Sequence, residues 1–130
     1  MTRVRAHFIL YVRDQAASAA FYRAVLAIEP ALDVPGMTEF RVGDAVIGLM
    51  PEAGIKRLLG DALPDPSDAH GTPRAELYLV VEDPEAYHAR ALSRGARELS
   101  PMSLRDWGHR AAYSLDADGH VLAFASQGAL

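Results

Sequence analysis

The strongest constraint on this chain is an internal repeat. His7-Phe-Ile-Leu-Tyr-Val-Arg-Asp14 and Glu76-Leu-Tyr-Leu-Val-Val-Glu-Asp83 share one pattern: a polar residue, five apolar residues, a charge and an aspartate. Each copy reads as a strand that runs into a helix, with the aspartate as N-cap. A carboxylate there accepts the free N–H groups of the first turn and meets the positive end of the helix dipole. Pro84 comes after the second aspartate at the first helical position, where a missing N–H costs nothing. Ala17, Phe21, Ala24 and Val25 recur at three- and four-residue spacing, which predicts one apolar stripe facing a sheet. Gly95 is expected to close the second helix. A repeated supersecondary unit settles the class of fold before any other detail.

The segments downstream of the two copies are also alike. In the first half, a short strand is expected around Ile28 to Leu32. Thr38 to Val42 and Ala45 to Met50 then form a hairpin on the Gly43-Asp44 turn. In the second half, Arg97 to Ser100 reads as a short strand and Ser103 to His109 as an irregular loop. A last hairpin, Arg110 to Leu115 and Val121 to Ser126, closes on Asp116-Ala-Asp-Gly-His120. Residues 51–73 hold four of the eight prolines, and only Ile55 to Leu59 reads as ordered, as one helical turn. Such a stretch is a linker or a loop over a site. The prediction is an α+β fold, one domain spanning 1–130, with tandem βαβββ units at about 5–50 and 75–126 and a linker or loop at 51–74.

Composition removes several classes of function. Thirteen basic residues stand against 17 acidic ones with no Lys/Arg run, which argues against nucleic-acid binding. With no cysteine, neither a disulfide framework nor a thiolate zinc cluster can form. No apolar run approaches the roughly 20 residues of a membrane helix, and no apolar leader comes after Met1, so a cytoplasmic protein is expected.

The tandem units, Phe21-Tyr-Arg-Ala-Val-Leu26 in the first helix and Asp116-x-Asp-Gly-His120 near the end resemble the vicinal oxygen chelate superfamily. This group contains the glyoxalases, bleomycin resistance proteins and extradiol dioxygenases. The likeness runs from about residue 5 to 126 and departs at Ala117, where the family commonly has proline. It implies an open, cupped mixed sheet, a small-molecule ligand on its concave face and a homodimer. It also implies a metal held by four strand residues. His7 matches the first and Glu76 stands where the third, usually histidine, would be. The second falls near Gly48 or Met50 and the fourth at Ala123, and none of these can bind a hard cation. The resemblance therefore implies a broken metal site and no cofactor. The alternative is a divalent Zn, Ni, Mn or Fe ion on His7, Glu76 and a donor displaced by one register step, Glu39 or Glu52.

Plainer roles exist for each candidate. His7 is first of all a hydrogen-bonded strand residue, and Glu76 a partner for Arg74, Arg110 or His7. His120 sits just after the turn glycine and reads as solvent-exposed. His88 lies off the Tyr87/Ala91 stripe and reads as surface.

Trp107, the only tryptophan, sits in Arg105-Asp-Trp-Gly-His109 ahead of Arg110. This loop resembles the bleomycin-resistance branch most, where such a tryptophan borders the ligand groove. An indole at a cleft edge offers a large stacking face. Arg110, Tyr113, Tyr78, Phe40 and Met50 are further ligand-binding candidates, with Glu39 beside them. Net acidity slightly favours a cationic ligand. No nucleophile–base pair or phosphate-cradling glycine loop is present. The expected function is sequestration of a bulky aromatic compound, cationic where that charge balance decides, in a metal-free groove of a dimer. A metal-dependent lyase, isomerase or dioxygenase is the alternative, and a module whose cavity is filled by its own side chains is the third reading.

Overall fold

A computed structural model describes residues 4–128. Backbone contacts divide the described residues into two compact units, one of residues up to 23 with 27–70, the other of residues from 71 onward with 24–26. The fold is α+β, with two open four-stranded sheets that each mix parallel and antiparallel pairing.

In the first unit β1 (His7–Val12) leads into α1 (Gln15–Leu26) through the Asp14 cap, whose carboxylate accepts the Ala17 N–H at 3.0 Å. That cap is worth about 1 kcal/mol. β2 (Leu32–Val34), β3 (Met37–Val42) and β4 (Ala45–Pro51) come next, and the sheet order is β1-β4-β3-β2, with β1 parallel to β4. Gln15 fastens the start of α1 to the β2–β3 turn. Its amide nitrogen donates to Val34 O and Thr38 Oγ1, and its oxygen accepts the Gly36 N–H. The expected stripe on α1 is rotated by one residue. Ser18, Tyr22, Val25 and Leu26 are buried, while Ala17 is exposed and Phe21 half-buried. The larger Tyr22 ring, edge-on to Phe21 at 5.0 Å, takes the inner position. The first short strand also lies later than expected, at Leu32–Val34.

Residues 51–73 are more ordered than their proline content suggests. α2 (Glu52–Leu59) runs eight residues, with single 3-10 turns after it at Gly60–Ala62 and Pro66–Ala69. Ile55 anchors α2 by burial, and Lys56 Nζ closes its end by donating to Gly60 O and Leu63 O at 3.0 and 2.9 Å. Prolines at the start of a turn and before a helix punctuate structure without abolishing it.

The second unit repeats the plan. β5 (Glu76–Val80), α3 (Pro84–Ser93), β6 (Arg97–Leu104), β7 (His109–Leu115) and β8 (Val121–Gln127) give a sheet of order β5-β8-β7-β6. Asp83 caps α3 through Ala86 N, and Gly95, at φ +102°, ends it. α3 packs on β7, β8 and β6, with Tyr87 against Phe124 at 5.4 Å. Edge strand β6 extends four residues beyond the expected Ser100. It tolerates Pro101 because its outer side lacks a partner strand and its pairing with β7 is broken by register shifts around Ser100. The predicted irregular loop shrinks to the turn Arg105–Gly108, closed by the Gly108 N–H to Arg105 O at 3.0 Å.

Candidate functional site

Each sheet has one face that is mostly core and one that is more open, and strand alternation with the register assigns residues to them. In the second sheet Tyr78, Ala123 and Tyr113 stand abreast on β5, β8 and β7, and Glu76, Val121 and Leu115 form the next row. In the other direction come Val80, Ala125 and Ala111, then Gln127 beside His109. Ala111, Ala123 and Ala125 are all fully buried although they belong to the open face. Small residues make a floor there, and larger side chains cover it.

The covering is aromatic and hydrogen-bonded. The Tyr78 hydroxyl lies 2.7 Å from His109 Nδ1 and accepts the Trp107 indole N–H at 2.8 Å. The Tyr78 and His109 rings stack at 5.8 Å. The Arg105 guanidinium sits 5.1 Å over the Tyr113 ring. Its Nε and Nη2 donate to Ala111 O, Ser100 Oγ and Pro101 O, which fixes it in place. The Tyr113 phenol is held above its ordinary pKa, first by burial and then by the negative charge of Glu76. Trp107 keeps 55 % of its surface exposed while its ring nitrogen is anchored on Tyr78.

The sequence candidates thus separate. Trp107, Tyr78 and Tyr113 come together on one face of the second unit with Glu76. The Glu76 side chain has neither hydrogen bond nor ion pair among the described residues of this unit, so the expected partnership with Arg74 or Arg110 is absent. Arg110, three residues before Tyr113 on β7, points to the helix side, where its guanidinium bonds Glu85. That bond holds the Glu85 carboxyl below its ordinary value. Phe40 is no groove wall: it pairs with Ile47 on the core side of the first sheet and is fully buried. Met50 lies across from Tyr11 on the other, half-buried side.

Two histidines depart from expectation. His120 is 4 % exposed, its backbone N–H and ring Nδ1 both meeting Asp116 carboxylate oxygens at 2.8 and 3.0 Å. His88 is 7 % exposed, with Nε2 on Glu98 at 2.8 Å. In both cases an adjacent carboxylate offsets the loss of water. Asp116, Asp118 and His120 place their donors within 4.8 Å of one another, close enough to share a cation. Asp116 is already the acceptor for Asp118 N and His120 N, so turn closure accounts for the arrangement.

Residues at the metal positions implied by the resemblance do not fit a four-donor site. A β-carbon at Gly48 would lie 2.7 Å from Ile9 Cδ1 and 3.1 Å from the Met37 sulfur, so the space beside it is filled by apolar side chains. Ala123 is covered on the other sheet. In the first unit this leaves His7 Nδ1 at 3.6 Å from Glu39 Oε2, with Glu39 directly across from Gly48.

Sequence reasoning misses His109 and Arg105 as site residues. Parity alone puts His109 on the Tyr113 face, but its meeting with Tyr78 requires the β5-β8-β7 register. Arg105 acts by reaching back over its own hairpin, which no spacing rule exposes.

Comparison with known proteins places the fold. Residues 5–124 match the family model described as the Glyoxalase/Bleomycin resistance protein/Dioxygenase superfamily. A glyoxalase-related enzyme from Fulvimarina pelagi is similar over 98 % of this chain and 89 % of its own, at TM-score 0.77 and 21 % identity. A glyoxalase/bleomycin resistance protein/dioxygenase family enzyme from Burkholderia phytofirmans matches over 94 % and 97 %, at TM-score 0.77 and 18 % identity. TioX from a Micromonospora species matches over 96 % and 99 %, at TM-score 0.74 and 17 % identity. At such identities the likeness speaks for the fold. No curated protein matches the chain in sequence. Among the described residues no helix is long and apolar enough to cross a membrane.

Proposed function

We propose, from the premise that this chain belongs to the Glyoxalase/Bleomycin resistance protein/Dioxygenase superfamily, that it binds and sequesters a bulky aromatic small molecule on the open face of its second sheet, as a homodimer. The observation that carries this reading is the hydrogen-bonded aromatic surface of Trp107, Tyr78 and His109 over an alanine floor. A largely exposed ring held by its nitrogen stacks on a flat ligand with little loss of side-chain entropy. The filled space beside Gly48 and the buried Ala123 argue in the same direction, because they replace donors by apolar groups.

The test is calorimetric titration of the full chain with a panel of aromatic compounds, bleomycin among them, in wild type and Trp107→Ala. Loss of a stacking face predicts an affinity about tenfold lower for the best binder, since aromatic pairs contribute on the order of 1 kcal/mol beyond area burial. The melting temperature should hold, because Trp107 is largely exposed. Equal affinity in the two proteins would remove the loop from the groove.

One observation favours the second reading, a metal-dependent lyase, isomerase or dioxygenase. Glu39 stands across from the donorless Gly48 and within 3.6 Å of His7, so the neighbouring strand supplies a carboxylate. Titration of metal-stripped protein with Zn, Ni, Mn and Fe(II) decides it. Tight binding lost in His7→Ala and Glu39→Gln would favour the enzyme, and absence of binding would leave sequestration.

A further inference from the structure

We propose that the aromatic face of the second unit selects organic cations, with the Glu76 carboxylate taking the charged end beside the Tyr78 and Tyr113 rings. This rests on the ligand-binding reading above and adds the sign of the ligand's charge and the place where it is held.

The first observation is a carboxylate with nothing to do. In this unit Asp83 caps α3, Glu85 bonds Arg110, Glu98 bonds His88 and Asp116 closes a turn, while Glu82 and Asp106, which like Glu76 have no side-chain bond among the described residues, lie off the strands, after β5 and in the turn before β7. Glu76 lies on a regular strand, exposed, without hydrogen bond or ion pair among the described residues. Its row neighbours are Val121 and Leu115, which offer it no donor.

The second observation is the aromatic surround. Tyr78 is two residues along the same strand and so on the same face, and Tyr113 flanks Ala123 from the other side. Glu76 contributes to the raised pKa of Tyr113, which places its charge within electrostatic reach of that ring. The raised value keeps the Tyr113 phenol neutral, and neutral aromatic rings present a negative face that attracts cations. Tyr113 already demonstrates this with Arg105 at 5.1 Å.

The third observation concerns the positive charges that could cancel Glu76. Arg105 keeps its charge over the Tyr113 ring, but its donors go to Ser100, Pro101 and Ala111 and it forms no ion pair with Glu76. Arg110 is turned to the helix side by Glu85. Arg74, just ahead of β5, and Arg97, at the far edge strand, form no ion pair with Glu76. A carboxylate that shares its sheet face with two tyrosines suits a weakly hydrated ammonium with apolar substituents. A compact, strongly hydrated cation would lose more water than these rings return, and an anion is repelled.

Three naphthyl probes separate the contributions: naphthylmethyl-trimethylammonium, its neutral carbon isostere neopentylnaphthalene, and the anion naphthylacetate. Each is titrated calorimetrically into the full chain as wild type, Glu76→Gln and Glu76→Asp. The cation should bind wild type about tenfold more tightly than the isostere, and the anion more weakly than either. Glu76→Gln should bring the cation down to the isostere and leave the isostere unchanged, while Glu76→Asp keeps most of the preference. Equal binding of cation and isostere, tightest binding of the anion, or a cation preference that survives Glu76→Gln would overturn the charge selectivity and leave the groove intact. If none of the probes binds, the groove reading itself falls and the selectivity with it.

Discussion

The middle rows of the two sheets make the most informative comparison in the molecule. In the first unit the row is Ile9–Gly48–Glu39, and in the second it is Tyr78–Ala123–Tyr113. The register is the same: the third residue of the leading strand, the third or fourth of the last strand, and its antiparallel neighbour. Both rows have a small residue at the centre. Over Gly48 the space is taken by Ile9 and Met37, and the polar pair nearby is His7 with Glu39. Ala123 is flanked by two tyrosines, Tyr78 bonded to Trp107 and His109, and Tyr113 beneath the Arg105 guanidinium. One topology used twice therefore yields an aliphatic plug and an aromatic platform. The backbone sets where a site can be, and the two flanking side chains decide whether one exists.

The harshest way to test that division is to remove a residue whose role it reassigns. Phe40→Ala should lower stability by about 3–5 kcal/mol, as for a large aromatic lost from a packed core, because Phe40 is fully buried on the side away from Gly48. Urea denaturation would measure it. Affinity for aromatic probes should stay at the wild-type value. A variant that folds normally but binds less would return Phe40 to the groove and blur the two faces.

Next come the equivalent hairpin turns. Gly119 has φ +91°, and a β-carbon there would collide with the backbone oxygen of Gly71. Gly43 has φ +59° with open space around it. Gly119→Ala combines left-handed strain with a collision against backbone, so about 3 kcal/mol or more is expected, whereas Gly43→Ala meets only the strain, about 1 kcal/mol. Similar melting shifts in the two variants would mean that the second turn is as free as the first.

These differences explain how much of the molecule is legible in the sequence. The repeat of His7–Asp14 in Glu76–Asp83 carries the strand–cap–helix units, because alternation, capping and helical spacing are local properties. Site membership is legible where it depends on parity alone. Tyr113 and Arg110, three apart on one strand, must face opposite ways, and Phe40 and Glu39 likewise. His88 and His120 read as surface in the sequence because their burial depends on Glu98 and Asp116, carboxylates brought to them by folding. The Trp107–Tyr78–His109 network spans 31 residues between Tyr78 and His109 and depends on pairing across β8. Only register supplies that.

A smaller effect separates the helix ends. α3 closes with Gly95 N–H on Leu92 O and Ala96 N–H on Ala91 O, the glycine carrying the positive φ. α1 closes with Ala27 N–H on Arg23 O, and Ala27 is itself left-handed at φ +58°. Ala27→Gly removes about 1–2 kcal/mol of strain. It also adds about 0.4–1 kcal/mol of unfolded-chain entropy. The net expectation is a gain of about 0.5–1 kcal/mol, readable as a raised melting temperature. Gly95→Ala should move it the other way. No gain from Ala27→Gly would mean that the alanine methyl makes compensating contacts.

The smallest effect belongs to Arg110, and it tests the separation of faces within the second unit alone. Its bond to Glu85 is partly exposed, so it contributes little at neutral pH. That small contribution has a definite pH dependence. The guanidinium bond holds the folded Glu85 carboxyl below its ordinary value of 4.5. A depressed folded value means that the stabilisation is fully present above the unfolded value and disappears as pH falls through the folded one. The melting difference between wild type and Arg110→Ala should therefore be small but steady near neutrality, shrink through the carboxylate range and vanish in stronger acid. Probe affinity should not change at any of these pH values, since Tyr113 and Glu76 lie on the other side of the sheet. A melting difference independent of pH would deny the ion pair, and a loss of affinity would put Arg110 back at the ligand.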